Sequence, residues 1–347
     1  TRSFHVTGVQ TCALPISPGN YRVTVNLQGF VHKEVIDVGV GLGQIKKVDF
    51  SLPLLGVTET VNVTAATPLV DVRQSARSTN IRAEQVELLP RGRDFTSLVT
   101  QAPGANNEAK LGGLSIDGAS AGENRFIIDG IETTNLQSGT SGKNVIVDFI
   151  EEVQVKSSGY TAEFGGATGG VINAVTKSGT NQLRGSFLYN LEGSALESAR
   201  RPTLRTSLTN SDVAEYIKYP KDGRTRHEPG FALGGPIRTD RIWFFGAYQP
   251  ALTTISRSVS PTTASNPRAA TISKDQKQTV HYLTGNITSQ LNNKTRLRVA
   301  YNNSYVKTEG LLPALSGLDP AGTNYGQTSE FPNYAASGNV DLVASSK

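Results

Sequence analysis

Three short stretches of this chain carry the letters of chemical motifs, and each lacks the surroundings its chemistry needs. Gly118 to Gly122 reads GASAG, the pattern of a nucleophile elbow, in which a serine stands on a sharp turn from strand into helix and a later histidine takes its proton. Ser120 falls instead between two strand-like segments, Leu114 to Asp117 and Phe126 to Asp129, where a hairpin around Gly118 to Gly122 needs small residues. Gly39 to Gly43 (GVGLG) lacks the third spacing of a dinucleotide loop and leads into no helix. Ser141 to Asn144 (SGKN) puts Asn144 where a phosphate-binding loop needs a hydroxyl for magnesium. His32, His227 and His281 are far apart, and none is paired at metal-ligand spacing. The sequence therefore offers no catalytic residue, no metal site and no cofactor, and the chain does not read as an enzyme.

What it does offer is β structure of two kinds, joined between Ile150 and Asn190. Val153 and Val155 alternate with Gln154 and Lys156, a glycine-rich turn (Gly165, Gly166, Gly169, Gly170) follows, and an apolar run from Val171 to Val175 succeeds it, as expected for two strands packed closely through glycines. After SGTN, residues Leu183, Gly185, Phe187, Tyr189 and Leu191 alternate with Arg184, Ser186, Leu188 and Asn190, which gives one apolar, aromatic face and one mostly polar face. Later, Leu297, Val299 and Tyr301 alternate with Arg296, Arg298 and Ala300, the pattern that lipid outside and water inside would select. Strands are expected near 183–191, 229–237, 241–249, 279–291, 295–306 and 333–344, with a tight turn at Asn292 to Thr295. The polar stretches Glu192 to His227 and Ala251 to Gln278 read as loops. Upstream, Ile81 to Thr100 reads as helical: Val86, Leu88 and Leu89 are stopped by Pro90, and Asp94 caps a second short helix presenting Phe95, Leu98 and Val99.

Composition sets the outer limits. At 347 residues with no methionine and no apolar run of the signal-peptide kind near the start, the chain reads as a fragment at both ends. No segment holds about 18 consecutive apolar residues, which excludes a spanning helix but not a barrel, whose strands average out to a mean hydropathy such as the −0.27 found here. The formal charge of +5 is scattered without a basic stripe, so no nucleic-acid partner is read. Val6 to Ile16 (VTGVQTCALPI) looks like the translation of a sequencing-library adapter. Residues 1–16 are therefore set aside as non-native, and with them the only cysteine, Cys12.

Three segments carry a resemblance to a known family. NRFIIDGIE (Asn124 to Glu132) ends a strand in Asp-Gly, IEEVQVKSSGYTAEFGGATGGVINAVTKSGTN follows from Ile150, and FALGGPIRTDRIWFFGAYQ (Phe231 to Gln249) sets Gly-Gly-Pro before a turn and aromatics after it. In that order they resemble the plug and first barrel hairpin of TonB-dependent outer-membrane receptors, within them the Oar-like branch with a carboxypeptidase-regulatory-like domain in front. The fold class so implied is mainly β: a partial transthyretin-like sandwich over 17–56, a TonB-box-like strand and linker over 57–80, a mixed α/β plug over 81–182, and the first strands of an incomplete transmembrane barrel over 183–347. About 22 strands close the plugged transporters.

The resemblance also implies roles. Asp129, Gly130, Glu152, Gly165, Gly169, Gly170 and Asn173 belong to the plug signature and order the plug. Asp129 is expected to accept hydrogen bonds from turn amides and Glu152 to pair with a barrel-wall arginine. Trp243, Phe244, Phe245 and Tyr248 fit an interfacial aromatic girdle. Thr58, Glu59, Thr60, Val61, Asn62, Val63, Thr64 and Ala65 are either the last strand of the sandwich, a linker, or the box through which a TonB-type complex pulls by strand addition. Energy-coupled uptake at the outer membrane is the function implied, with lipid around the barrel and a ligand of unread identity, whether carbohydrate, peptide or metal chelate. An adhesive or surface-organising role, or a carbohydrate-binding surface module, is the alternative.

Overall fold

A computed structural model describes residues 2–7, 18–42, 46, 48–54, 77–88, 92–108, 112–135, 137–207, 210–259, 271–292, 294–315, 319–320 and 322–342. The box-like segment Thr58 to Ala65 lies outside the described residues. The N-terminal unit is one sheet of three strands, β1 (Arg2–Thr7), β2 (Gly19–Asn26) and β3 (Lys33–Val40), with β1 parallel and β3 antiparallel to β2. Strand pairing thus begins inside the stretch set aside as non-native. The sheet's small core is Tyr21, Val38 and Val40, and the chain returns to it where Phe30 bridges Leu54.

The second unit is a five-stranded sheet in the order β4-β9-β10-β7-β8. It opens with β4 (Arg77–Arg82), so the segment expected to be helical begins as an edge strand, and the linker gives way to sheet four residues early. Only two one-turn helices follow, α1 (Ala83–Val86) and α2 (Thr96–Val99). The N-cap of α2 is Phe95, which makes no side-chain cap, and the expected cap Asp94 sits one residue earlier and accepts the Thr96 amide at 2.8 Å; Phe95, Leu98 and Val99 are fully buried. Leu88 is exposed, while Leu89 and Pro90 are outside the described residues.

The expected hairpin around Gly118 to Gly122 does not form. Instead β5 (Ala105–Asn107) pairs β6 (Leu114–Ile116), and β7 (Arg125–Ile128) runs beyond it toward a short partner, β8 (Ile131–Glu132). The reason is Asn124, whose buried side chain donates to the Leu114 carbonyl at 2.6 Å and accepts the Gly170 amide at 2.8 Å. That amide bond steers β7 alongside β10 (Val171–Thr176) as a parallel neighbour, with β9 (Ile150–Ser158) antiparallel on the other side of β10. Close approach explains the glycine pair: a Cβ on Gly170 would stand 2.3 Å from Ile116 Cδ1, and one on Gly169 2.6 Å from Asn124 Oδ1. Ser120, far from any elbow, starts a one-turn 3-10 helix and donates its amide to Glu123.

The third unit is an antiparallel sheet of long strands: β11 (Arg184–Gly193), then, beyond a two-stranded excursion of β12 (Thr203–Thr206) and β13 (Ala214–Ile217), β14 (Gly223–Arg238), β15 (Ile242–Val259), β16 (Ile272–Asn292) and β17 (Thr295–Glu309), with β18 (Thr328–Phe331) and β19 (Tyr334–Leu342) both on β17. All six expected strands are present; the first five are longer than expected, whereas the last, expected over 333–344, is described as Tyr334–Leu342. Most of Ala251 to Gln278, expected as loop, is strand, because its alternating Thr, Ser and Arg residues pair across β15 and β16 without needing lipid, as Ser258 does with Ser273 at 2.9 Å. The connections after β14 and β16 are tight; in the outer-membrane barrel that the resemblance implies, such short turns are expected on the periplasmic side.

Alternation sorts the two faces as the sequence predicts. Phe187, Phe231, Leu233, Leu283, Ile287, Val299, Tyr301 and Val340 are exposed on one face, while Arg296, Arg298, Ala300, Thr284, Asn286 and Thr288 are buried on the other. No described helix is long and apolar enough to cross a membrane. The aromatic cluster is split by the same period of two. Phe245 points inward into the plug core, whereas Tyr248 lies in an outward row with Phe231, His281 and Tyr305 whose ring centroids are 5.8 to 6.0 Å apart.

Candidate functional interface between plug and barrel

The two sheets meet through Phe245 and Ala247, which enter the plug core, and through buried polar contacts, the most connected of which is the Asp-Gly turn. Ile128 faces Ile131, leaving Asp129 and Gly130 as a two-residue loop with φ of 49° and 83°, the backbone a tight hairpin requires. Held in that loop and 4% exposed, the Asp129 carboxylate accepts the Thr176 amide at 3.0 Å and the Thr176 hydroxyl at 2.8 Å. It also accepts Arg298 Nη2 at 2.9 Å and Asn302 Nδ2 at 3.1 Å, both from β17 of the barrel wall. Asn339 of β19 donates to the Asp129 carbonyl at 3.2 Å. Around it, Arg298 donates to the Thr176 carbonyl at 3.0 Å and Asn286 to the Lys177 carbonyl at 2.6 Å. One plug turn and the strand leaving the plug are therefore tied together to three barrel strands.

A second buried cluster lies nearer the outer side. Glu228 on β14, 1% exposed, takes Arg93 Nε of the plug at 2.7 Å and is flanked by Arg226 of its own strand. Arg93 also reaches Asp148 at 3.5 Å, and Gln249 donates to Glu228 at 3.4 Å. A third contact is Lys143, whose buried ammonium donates to the Asn333 carbonyl at 2.5 Å between β18 and β19. Burial lowers its pKa to about 8. The SGKN stretch is thus a docking loop and no phosphate cradle: Ser141 donates back to the Lys143 carbonyl at 2.8 Å.

These contacts reverse the two roles expected of the acidic residues. Asp129, expected to hold turn amides, holds the barrel arginine, and Glu152, expected to hold a barrel arginine, accepts the Leu42 amide of the N-terminal unit at 3.0 Å. Glu152 faces away from the plug core because its neighbours Val153 and Val155 face into it, and so it cannot reach the wall. Burial raises its pKa, opposed by the hydrogen bonds from Leu42 and Asn80. Of the remaining signature residues, Gly170 lies against Ile116 of β6, Gly169 lies against Ala119 and Asn124, and Asn173 sits in β10 between Gln154 and Ile127. Gly165 ends a 3-10 turn that is exposed. Arg93, Lys143, Glu228, Asn286 and Asn302 were not singled out by sequence. The available signal for Glu228, Asn286 and Asn302 was a polar side chain on the inward parity of a barrel strand.

A globular mixed sheet seated by buried ion pairs on the polar face of a lipid-patterned antiparallel sheet defines a plugged outer-membrane barrel. Residues 70–171 match the TonB-dependent receptor plug domain, and residues 175–347 match an outer membrane beta barrel domain. The chain belongs to the TonB-dependent receptors, a family of transporters, and it resides in the outer membrane with its plug toward the periplasm. It is 30% identical over 249 residues to the TonB-dependent transporter Oar of Myxococcus xanthus, an alignment covering 69% of this chain and 22% of Oar. The chain thus spans about a fifth of that relative's length. The outer membrane transporter YddB from Escherichia coli shares the fold over 77% of this chain and 37% of its own, with a TM-score of 0.55 at 18% identity.

Proposed function

We propose that the receptor to which this chain belongs takes up an extracellular ligand by energy-coupled rearrangement of its plug, with a TonB-type complex pulling on Val57 to Ala65. The observation that carries this reading is the way the plug is held. Beside an apolar contact where Phe245 and Ala247 enter the plug core, its polar contacts with the wall are buried and centred on Asp129 with Arg298 and on Arg93 with Glu228. Ion pairs of this kind are specific in geometry, and each of them gives way once water replaces the partner. Asp129 and Thr176 also lie next to the strand that leaves the plug, so a rearrangement there opens the seam between plug and wall.

The ligand class falls among carbohydrates, peptides and metal chelates. Purified periplasmic domain of the partner TonB-type protein should bind the wild-type receptor, and Val61→Pro, which removes one backbone donor from the added strand, should weaken that binding about tenfold or more. In cells, accumulation of a labelled oligosaccharide, peptide or ferric chelate from a test panel should depend on both the receptor and the coupling complex. Equal accumulation after deletion of the complex would favour the adhesive or surface-organising role instead.

A further inference from the structure

The acidic residue that misses the barrel wall does something else. Asn80 and Arg82 on β4 stand beside Gln154 and Glu152 on β9 as direct cross-strand partners, and all four side chains lie on the face of the plug sheet turned away from its core. Glu152 and Gln154 are nevertheless 1% and 5% exposed. What covers them is the backbone of the N-terminal unit just past β3. The Leu42 amide donates to the two Glu152 carboxylate oxygens at 3.0 and 3.1 Å, and the Leu42 carbonyl accepts Gln154 Nε2 at 2.8 Å and Asn80 Nδ2 at 3.4 Å. Asn80 also donates to Glu152, which fixes the carboxylate in place. A second point of approach lies at Gly39, where a Cβ would stand 2.9 Å from the Arg82 guanidinium.

We propose that Asn80, Glu152 and Gln154 form a docking site for main chain, which recognises one exposed amide and carbonyl of an extended segment and holds the N-terminal sheet on the plug through Leu42. One acceptor set and one donor set, matched to the N–H and the C=O of a single residue, read backbone and not side chain, in the manner of strand-edge recognition. The chain's path gives this a mechanical consequence, which rests on the uptake reading above. Leu54 is bridged to Phe30 in the connection between β2 and β3, and Arg77 begins β4. A pull applied between those two anchors reaches the plug along two routes, through β4 and through the N-terminal sheet by way of Leu42. Both routes end on β9, at or beside Glu152. Releasing Leu42 puts the whole load on the edge strand β4.

The docking is tested without any uptake measurement, so its failure is separable from failure of the transport reading. In the full-length receptor with its other cysteines replaced, spin labels at Ile36→Cys and Leu88→Cys, both exposed, report the distance between N-terminal sheet and plug. The proposal expects one narrow distance in the wild type and a broad distribution in two reciprocal variants, Glu152→Ala with Gln154→Ala, which leaves the N-terminal sheet untouched, and Leu42→Pro, which leaves the plug untouched. Hydrogen exchange at Tyr21 and at Val153 checks that each unit keeps its own sheet, and exchange at Leu42 should quicken about tenfold or more when Glu152 and Gln154 are removed. A distribution that is already broad in the wild type, or one that stays narrow when either side of the contact is removed, overturns the docking site.

Discussion

Asp129 and Arg298 are 169 residues apart in the chain and 2.9 Å apart in the fold, and their ion pair is the contact around which the plug meets the barrel wall. The aspartate side is 1% exposed and the arginine side 10%, so neither charge has water to fall back on when the other is removed. Breaking a buried pair at one end costs about 3 to 5 kcal/mol, mostly the penalty of the orphaned charge.

Asp129→Asn and Arg298→Met should therefore each loosen the plug strongly, and together by less than the sum of the two. Hydrogen exchange at the Thr176 amide, bonded to Asp129 at 3.0 Å, is the local readout. Exchange there should rise in both single variants while the barrel amides of β15 and β16 stay protected. Additive effects in the double variant would mean that the two charges act independently.

Lys143 gives a pH dependence of definite sign. Burial holds its pKa near 8, below the ordinary 10.5, so between those values the displaced loop binds more protons than the docked one. Docking is then penalised most at low pH and strengthens as pH rises from about 8 toward 10.5, by at most roughly 3 kcal/mol. Denaturant resistance of the plug should climb over that window in the wild type. In Lys143→Met the climb should be absent, and an identical slope in that variant would exclude Lys143 as its source.

Lipid contact follows parity along the barrel strands. Val299, Tyr301 and Val340 are exposed, and a charge placed on that side near the midplane costs about 2 to 4 kcal/mol. Single cysteines at these positions should react with a lipid-phase thiol reagent, whereas Ala300→Cys, 2% exposed beneath the plug, should not. Arg296 and Arg298 face inward as expected and both are buried, Arg298 against Asp129 and Thr176 of the plug, so a soluble reagent should label cysteines there slowly. Labelling without alternation would contradict the barrel assignment of β17.

How far the fold could be read from sequence follows from the range of the forces involved. Val299 against Arg298 is a local alternation, set by lipid on one side, and it located the barrel strands and their faces. Asp-Gly at 129 and 130 is equally local, because few residues tolerate two successive positive φ values. The ends of β15 and β16 were underestimated because strand pairing continues past the lipid, where composition turns polar. The parallel partnership of β7 with β10 was missed because it depends on Asn124 reaching Gly170, a contact between distant segments with no periodic signature. The roles of Asp129 and Glu152 were exchanged for the same reason. Both are acidic residues in β-rich segments, and only the direction in which each side chain leaves its sheet decides which one meets the wall.

Thr176 offers the most direct test of the claim that an energised pull opens the seam between plug and wall. Its side chain is fully buried, with its hydroxyl 2.8 Å from Asp129 and 3.0 Å from Arg298 Nη2. In living cells carrying Thr176→Cys in the full-length receptor, an impermeant thiol reagent should label the position when the membrane is energised and the coupling complex is present. Labelling should fall to background when the complex is deleted or the proton gradient is collapsed. Equal labelling under all three conditions would contradict the account.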